Sequence, residues 1–184
     1  MRYSASHKEQ TRQRLIESSG AIAKRGGFAT TGVDGLMKAI GLTGGAFYSH
    51  FPSKDDLFTE VVRRELSQSP ILARDGVLDR TRLERCLDSY LSLAHLHNPE
   101  AGCAIPALGA EIARAETPVR EEAEHWLRAL QQAWAQTLGD GELAWALIGQ
   151  CVGALVVARM LASEETQREV LDASRSMLHS ALSP

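Results

Sequence analysis

Thr43, Gly45, Ala46 and Tyr48 lie within six consecutive residues, and together they suit the surface of a polyanion. A threonine hydroxyl at the start of a helix can bond the free backbone amides there or a phosphate, and those amides themselves favour an anion. Gly45 and Ala46 would let such a helix approach a groove closely, where a larger side chain would hold it away. Phe47 and Phe51, four apart, should face a core, which leaves Tyr48 on the other side with its hydroxyl free for a phosphate oxygen. A second chemistry is conceivable further along. Cys103 follows Gly102 just ahead of Pro106, and amides at a helix start can lower a thiol's pKa; with His95 or His125 as base it would be a thiol nucleophile. The same residue reads more simply as an inert buried thiol.

The elements that must position these groups are helices. Nothing in the chain alternates apolar and polar residues over a strand's length, whereas helical periodicity is nearly everywhere, so the fold should be all-α. A first helix with Leu15, Ile16, Ser19, Ile22 and Ala23 inward should stop near Gly26-Gly27. A short second helix should run from about Val33 to Ile40 and end at Gly41. Thr43 should cap a third reaching His50 or Phe51, and the two form a helix-turn-helix of the kind whose second helix enters the major groove. After Pro52, Ser53 and Asp56 make an S-x-x-D box opening a fourth helix at about 53–67 that carries Leu57, Phe58, Val61, Val62 and Leu66.

The pattern weakens from Ser67 to Asp79, which places the domain boundary there: 1–66 for the N-terminal unit and 67–184 for the body. In the body, Leu83, Cys86, Leu87, Tyr90, Leu91 and Ala94 mark a fifth helix ended by Asn98-Pro99. A sixth should start near Pro106, and Thr117-Pro118 should open a seventh with Val119, Ala123, Trp126, Leu127, Leu130, Trp134 and Leu138 inward. The apolar stretch Leu143 to Leu161 is an eighth helix, and Val170, Ala173, Met177, Leu178 and Ala181 define a ninth. About nine helices are therefore expected. The eighth falls short of the roughly 20 apolar residues of a membrane span and contains Gln150 and Arg159, so it reads as buried.

Net charge is -3 over 184 residues, which taken whole speaks against a nucleic-acid partner. The average conceals two halves of opposite sign. Residues 1–54 hold eight Lys or Arg against three acids, +5, and the remaining 130 residues carry -8. A basic third on an acidic body suits a polyanion-binding module attached to a domain with another task. Cys86, Cys103 and Cys151 are odd in number and form no C-x-x-C pair, which indicates neither a disulfide framework nor a zinc site and suits a reducing cytoplasm. No signal peptide, nucleotide loop, metal cluster or catalytic triad is visible, so no cofactor is expected.

Thr30-Thr31-Gly32-Val33, the run from Gly41 through Thr43 and Tyr48 to Phe51, and Ser53-Lys54-Asp55-Asp56-Leu57 together resemble the TetR family of bacterial transcriptional regulators. The resemblance covers about Thr11 to Leu66. It implies a three-helix DNA-binding domain followed by a larger helical bundle for ligand binding and dimerisation, and phosphate contacts from Thr31, His50 and Lys54. At Gly44 this chain departs from the pattern, since many relatives carry a longer polar or basic residue there. Lys38, Thr43, and Arg2 or Lys8 in an N-terminal arm are the candidates to compensate. Two glycines also weaken so short a helix by roughly 1 kcal/mol each relative to Ala. The DNA-binding set is therefore Thr31, Lys38, Thr43, Gly44, Gly45, Ala46, Tyr48, His50 and Lys54.

The resemblance further implies a homodimer paired through the eighth and ninth helices, where Gly149 and Gly153 would admit another backbone closely. A two-fold dimer would set two recognition helices about 34 Å apart on a near-palindromic double-stranded operator. Tyr90, Cys103, Trp126 and Trp134 are candidates to line an apolar cavity for an unknown small-molecule effector. The expected function is a ligand-responsive repressor, not an enzyme and not a membrane protein, with the thiol enzyme built on Cys103 and a nearby His as the alternative.

Overall fold

The computed structural model describes residues 5–69 and 78–182. Among these residues there are helices and no strands: α1 (Ala5–Gly26), α2 (Val33–Ala39), a 3-10 helix (Gly44–Ser49), α3 (Lys54–Ser67), α4 (Arg80–Tyr90), α5 (Leu93–His97), α6 (Ile105–Arg114), α7 (Thr117–Leu138), α8 (Gly141–Met160) and α9 (Glu164–Leu182). The all-α expectation holds, as do the ends near Gly26 and Gly41 and the starts at Pro106 and Thr117. Arg2, and most of the segment assigned as the domain boundary, lie outside the described residues.

Local chemistry explains most of the punctuation. The chain leaves α1 through Gly27, whose φ of 91° is the left-handed conformation that glycine adopts without cost. It leaves α2 through Gly41, φ 77°, with the Gly41 amide donating to the Lys38 carbonyl and the Leu42 amide to that of Met37. That paired closure satisfies two terminal carbonyls, and Arg14 from α1 donates to a third, on Ile40, at 3.2 Å. Ser53 opens α3 as expected: its hydroxyl oxygen accepts from the Asp56 amide at 3.1 Å and donates to the Asp56 carboxylate at 2.7 Å.

Two expectations are corrected. The segment after Thr43 is a 3-10 helix, and Thr43 stands at its N-cap with no hydrogen bond from its side chain to the backbone. Paired glycines give an α-helix little support there, and tighter turns suit a run of six residues. The single fifth helix is broken in two at Leu91-Ser92, because Ser92 starts a new turn by accepting the His95 amide. The count is thus ten helical elements among the described residues.

Two hydrophobic cores organise the chain. The N-terminal core gathers Leu15, Leu36, Met37, Phe47, Phe51, Leu57, Phe58 and Val61, with Phe28 stacked on Phe58 at 4.5 Å, and it extends into the body through Ala104, Leu108, Val119 and Ala123. The body core centres on Trp134, Tyr90, Leu130, Leu147, Cys151 and Leu155. The helix α8 is long and apolar enough to cross a membrane by composition, and here it is the central helix of the body, packed against α7 and α9.

Candidate nucleic-acid interface

The 3-10 helix buries one side and offers the other. Phe47 is fully buried and Phe51 nearly so, whereas Tyr48 is 69% exposed, enough for its phenol to reach a partner without any rearrangement. Thr43, Gly45, Tyr48 and Lys38 are exposed, and Thr31, Gly44, Ala46, His50 and Lys54 are half-buried around them. The nine sequence-assigned residues therefore come from the loop before α2, α2 itself, the turn after it, the 3-10 helix and its end at His50, and the start of α3.

The two glycines of the segment serve different ends. A Cβ at Gly45 would meet nothing within 4 Å, so the chain's own packing does not demand a glycine there. A Cβ at Gly44 would overlap the Asp34 carboxylate. Asp34 is exposed on α2, has no hydrogen bond or ion pair among the described residues, and occupies the space that a side chain at 44 would need. Its proximity to this segment is not legible from spacing, because it depends on how α2 crosses the turn.

His50 and Lys54 carry chemistry already tied to the fold. Burial holds the His50 pKa below its ordinary value, helped by the positive charges of Lys8 and Arg12, and its Nδ1 is buried without a hydrogen-bond partner among the described residues. Lys54 donates to the Ala29 carbonyl at 3.2 Å with its ammonium 4.8 Å from the Phe28 ring centre. It thereby steadies the loop before Thr31 as well as supplying charge.

The body places its candidates differently from one another. Trp134 is fully buried in the core, and Trp126 borders a void of about 10 Å³, donating its indole N–H to Glu122 at 2.9 Å. Tyr90 forms a wall of a cleft of about 360 Å³, together with Arg85, Cys86, His95, Asn98 and Gly102. Cys103 is buried beside this cleft. Burial pushes its thiol pKa up despite the helix start that follows, and pushes that of Cys151 up to about 12.

His95 does not serve Cys103 as a base. Its Nε2 accepts from the Cys103 backbone N–H at 3.0 Å, so the proton sits on Nδ1, which donates to the Tyr90 carbonyl at 2.7 Å. Burial, with Arg159 and Lys24 nearby, holds its pKa below the ordinary 6.5. The neutral ring is therefore the folded form, and its contribution to stability is complete above pH 6.5 and lost as pH falls through the folded value. The thermal midpoint of the wild type should drop on acidification below pH 6.5 more than that of His95→Gln; parallel curves would refute the assignment.

Contacts that sequence reasoning missed join the two cores. Lys24 and Glu65 form an ion pair at 2.7 Å with side chains only 7% and 10% exposed, and Lys24 also donates to the Gly102 carbonyl at 3.3 Å. Glu111 on α6 accepts the amides of Phe28 and Ala29 at 2.9 and 2.7 Å. Separations of about forty to eighty residues leave no periodic signal.

The model of the bacterial regulatory proteins, tetR family, matches residues 15–61, the span from α1 into α3 that holds the helix-turn-helix. The HTH-type transcriptional regulator AcrR of Shigella flexneri is 38% identical over 63 residues, which is 34% of this chain and 28% of that protein. The nucleoid occlusion factor SlmA of Marinobacter nauticus is 28% identical over 115 residues, 59% of this chain and 56% of its own length. The chain thus matches from about a quarter to just over half of these curated relatives. Over the whole length the likeness is one of fold. The reduced form of E. coli NemR superposes with a TM-score of 0.76 at 19% identity, covering 94% of this chain and 97% of that one. A TetR-family transcriptional regulator from Agrobacterium tumefaciens gives 0.74 at 16%, covering 92% and 98%. Residues 15–61 thus carry the helix-turn-helix segment of the bacterial regulatory proteins, tetR family, and the chain as a whole shares the fold of those solved regulators.

Proposed function

We propose that this protein is a cytoplasmic, non-enzymatic transcriptional regulator. In this reading a homodimer binds a near-palindromic double-stranded operator as a repressor, and a small-molecule effector in the body releases it. The observation that carries the reading is the matched segment 15–61 with its exposed donor face, Thr43, Tyr48 and Lys38, around a small-residue surface at Gly45. Thr31, His50 and Lys54 flank that face and would take phosphate oxygens. The acidic body would repel DNA and leave the N-terminal face to dock.

Support for the dimer comes from α8 and α9. Trp145, Val156, Val157 and Met160 on α8 and Met177 on α9 are exposed, with Met160 at 78%. Ala173, from the apolar stripe of α9, is exposed too, while Leu171, Ser174, Leu178 and Leu182 face inward. A Cβ at Gly149 or Gly153 would meet nothing within 4 Å, so that part of α8 has room for a second backbone. Uncovered apolar rows of this kind mark an interface.

The deciding measurement is DNA binding against salt. A protein engaging several phosphates should lose affinity steeply between low and physiological salt, and salt-independent or absent binding would end the reading. Gly45→Leu separates interface from fold. Because the space above Gly45 is open within the chain, the thermal midpoint should stay unchanged while operator affinity falls about ten-fold or more. Loss of both together would mean that Gly45 serves the fold.

A further inference from the structure

The cleft walled by Tyr90 has a definite chemistry. Its lining comes from one face of α4 (Arg85, Cys86, Ser89, Tyr90) and from the connection through Ala94, His95 and Asn98 to Gly102. Most of the polar groups in it are engaged by the chain. The Ser92 hydroxyl donates to the Ser89 carbonyl and accepts the His95 amide, the Asn98 amide nitrogen donates to the Ala94 carbonyl, and both ring nitrogens of His95 are bonded to backbone. Arg85 is the charged exception. Its guanidinium is exposed at the cleft, with no ion pair or hydrogen bond among the described residues, and no carboxylate lines the cleft to neutralise it. On a body that carries -6 over residues 67–184, an unpaired cation over an apolar hollow selects for an anion.

The floor of this cleft is also the wall of another. Ala101 and Gly102 border a second hollow of about 410 Å³ whose other side is Glu17, Lys24, Arg64 and Glu65. The turn from Asn98 to Gly102 is held by the Ala101 amide on the Asn98 carbonyl and the Gly102 amide on the Pro99 carbonyl. A Cβ at Gly102 would overlap the His95 ring, so turn and imidazole are in direct contact. On the far side the same turn accepts Lys24 at Gly102, and Glu100 lies 3.8 Å from Arg25. Both cations belong to α1, the helix whose Leu15 and Ile16 pack in the N-terminal core.

We propose that this cleft is the effector site, that its ligand is a small organic carboxylate with an apolar body, and that occupancy is relayed to α1 through the Asn98–Gly102 turn. The inference rests on the DNA-binding reading above and gives that reading a site and a ligand class. The carboxylate would take the Arg85 fork, and the apolar part would lie against Tyr90, Ala94 and Ala101. Movement of the turn would change the hold on Lys24 and Arg25 and so the set of the N-terminal unit on the body.

The test uses the full-length protein with hexanoate, octanoate, benzoate and phenylacetate, each beside its neutral primary amide. Thermal shift reads binding, and fluorescence anisotropy reads operator affinity. At least one acid should raise the melting temperature and weaken operator binding about ten-fold at saturation, with its amide inert. Arg85→Ala should weaken that acid's binding about ten-fold or more, and Ala94→Trp, which fills the cleft from an exposed position, should abolish it. The proposal is overturned if no acid shifts the wild type, if the shift survives in both variants, or if a bound acid leaves operator affinity unchanged. Absence of any DNA binding would instead defeat the parent reading, since the thermal shift and its Arg85 dependence need no DNA.

Discussion

Lys24→Ala should lower the free energy of unfolding by about 3 kcal/mol, because it strands Glu65 as a buried charge without its partner. The two groups are 2.7 Å apart with side chains 7% and 10% exposed, so the carboxylate left behind would be largely withdrawn from water. Close packing adds to this, since a Cβ on Gly20 would already overlap the Glu65 carboxylate. Arg64, 3.4 Å from Glu65, offsets only part of the loss because it is also engaged by Glu17 at 2.6 Å. The double variant Lys24→Met with Glu65→Leu should recover most of the stability while removing the bond to the Gly102 carbonyl. It should therefore fold, bind operator, and respond less to a ligand in the Arg85 cleft. Urea unfolding checks the first part: a loss within about 1 kcal/mol for Lys24→Ala would mean the pair behaves as a surface pair.

For the proposed homodimer, Val157→Asp should give a monomer and reduce operator affinity by about two orders of magnitude or more. The residue is 47% exposed in the single chain, on the same helix as exposed Val156 and Met160. A carboxylate there costs the isolated chain little but would be buried without a partner in a paired interface. Loss of pairing removes the second half-site contact, and the advantage of joined binding is about 10²–10⁴-fold. Sedimentation should show the monomer and anisotropy the weakened binding, with the thermal midpoint of the chain itself little changed. A variant that remains dimeric would exclude this face of α8 from the interface.

The features legible in the sequence are those set by neighbours along the chain. The Ser53 and Asp56 box, the glycines that close α1 and α2, Pro106 and Pro118 in first turns, and the burial of Phe47 and Phe51 beside exposed Tyr48 all follow from interactions within four residues or so. The same local reasoning found the break between the two charge regions. It failed where distant segments decide. Leu83 to Ala94 carries an unbroken helical pattern, yet the chain bends at Ser92 to bring His95 between Tyr90 and Cys103. Trp134 and Tyr90 are both large aromatics on helical stripes, and only the packing of α4 against the connection to α6 leaves one sealed and the other beside a cleft. Asp34 beside Gly44, and Lys24 beside Glu65, belong to the same class of facts.

The carboxylate of Glu111 closes the two amides that follow α1, and four apolar residues of α6, α7 and the segment before α6 complete the N-terminal core. The N-terminal unit is therefore not a transplantable part. A gene fusion cut after α3 would discard Glu111, Leu108, Val119 and Ala123, leaving two amides and a hydrophobic floor open to water. Recombination between relatives would preserve this junction only where the crossover carries α1 and α6 from the same parent, so the two halves should exchange as a matched set.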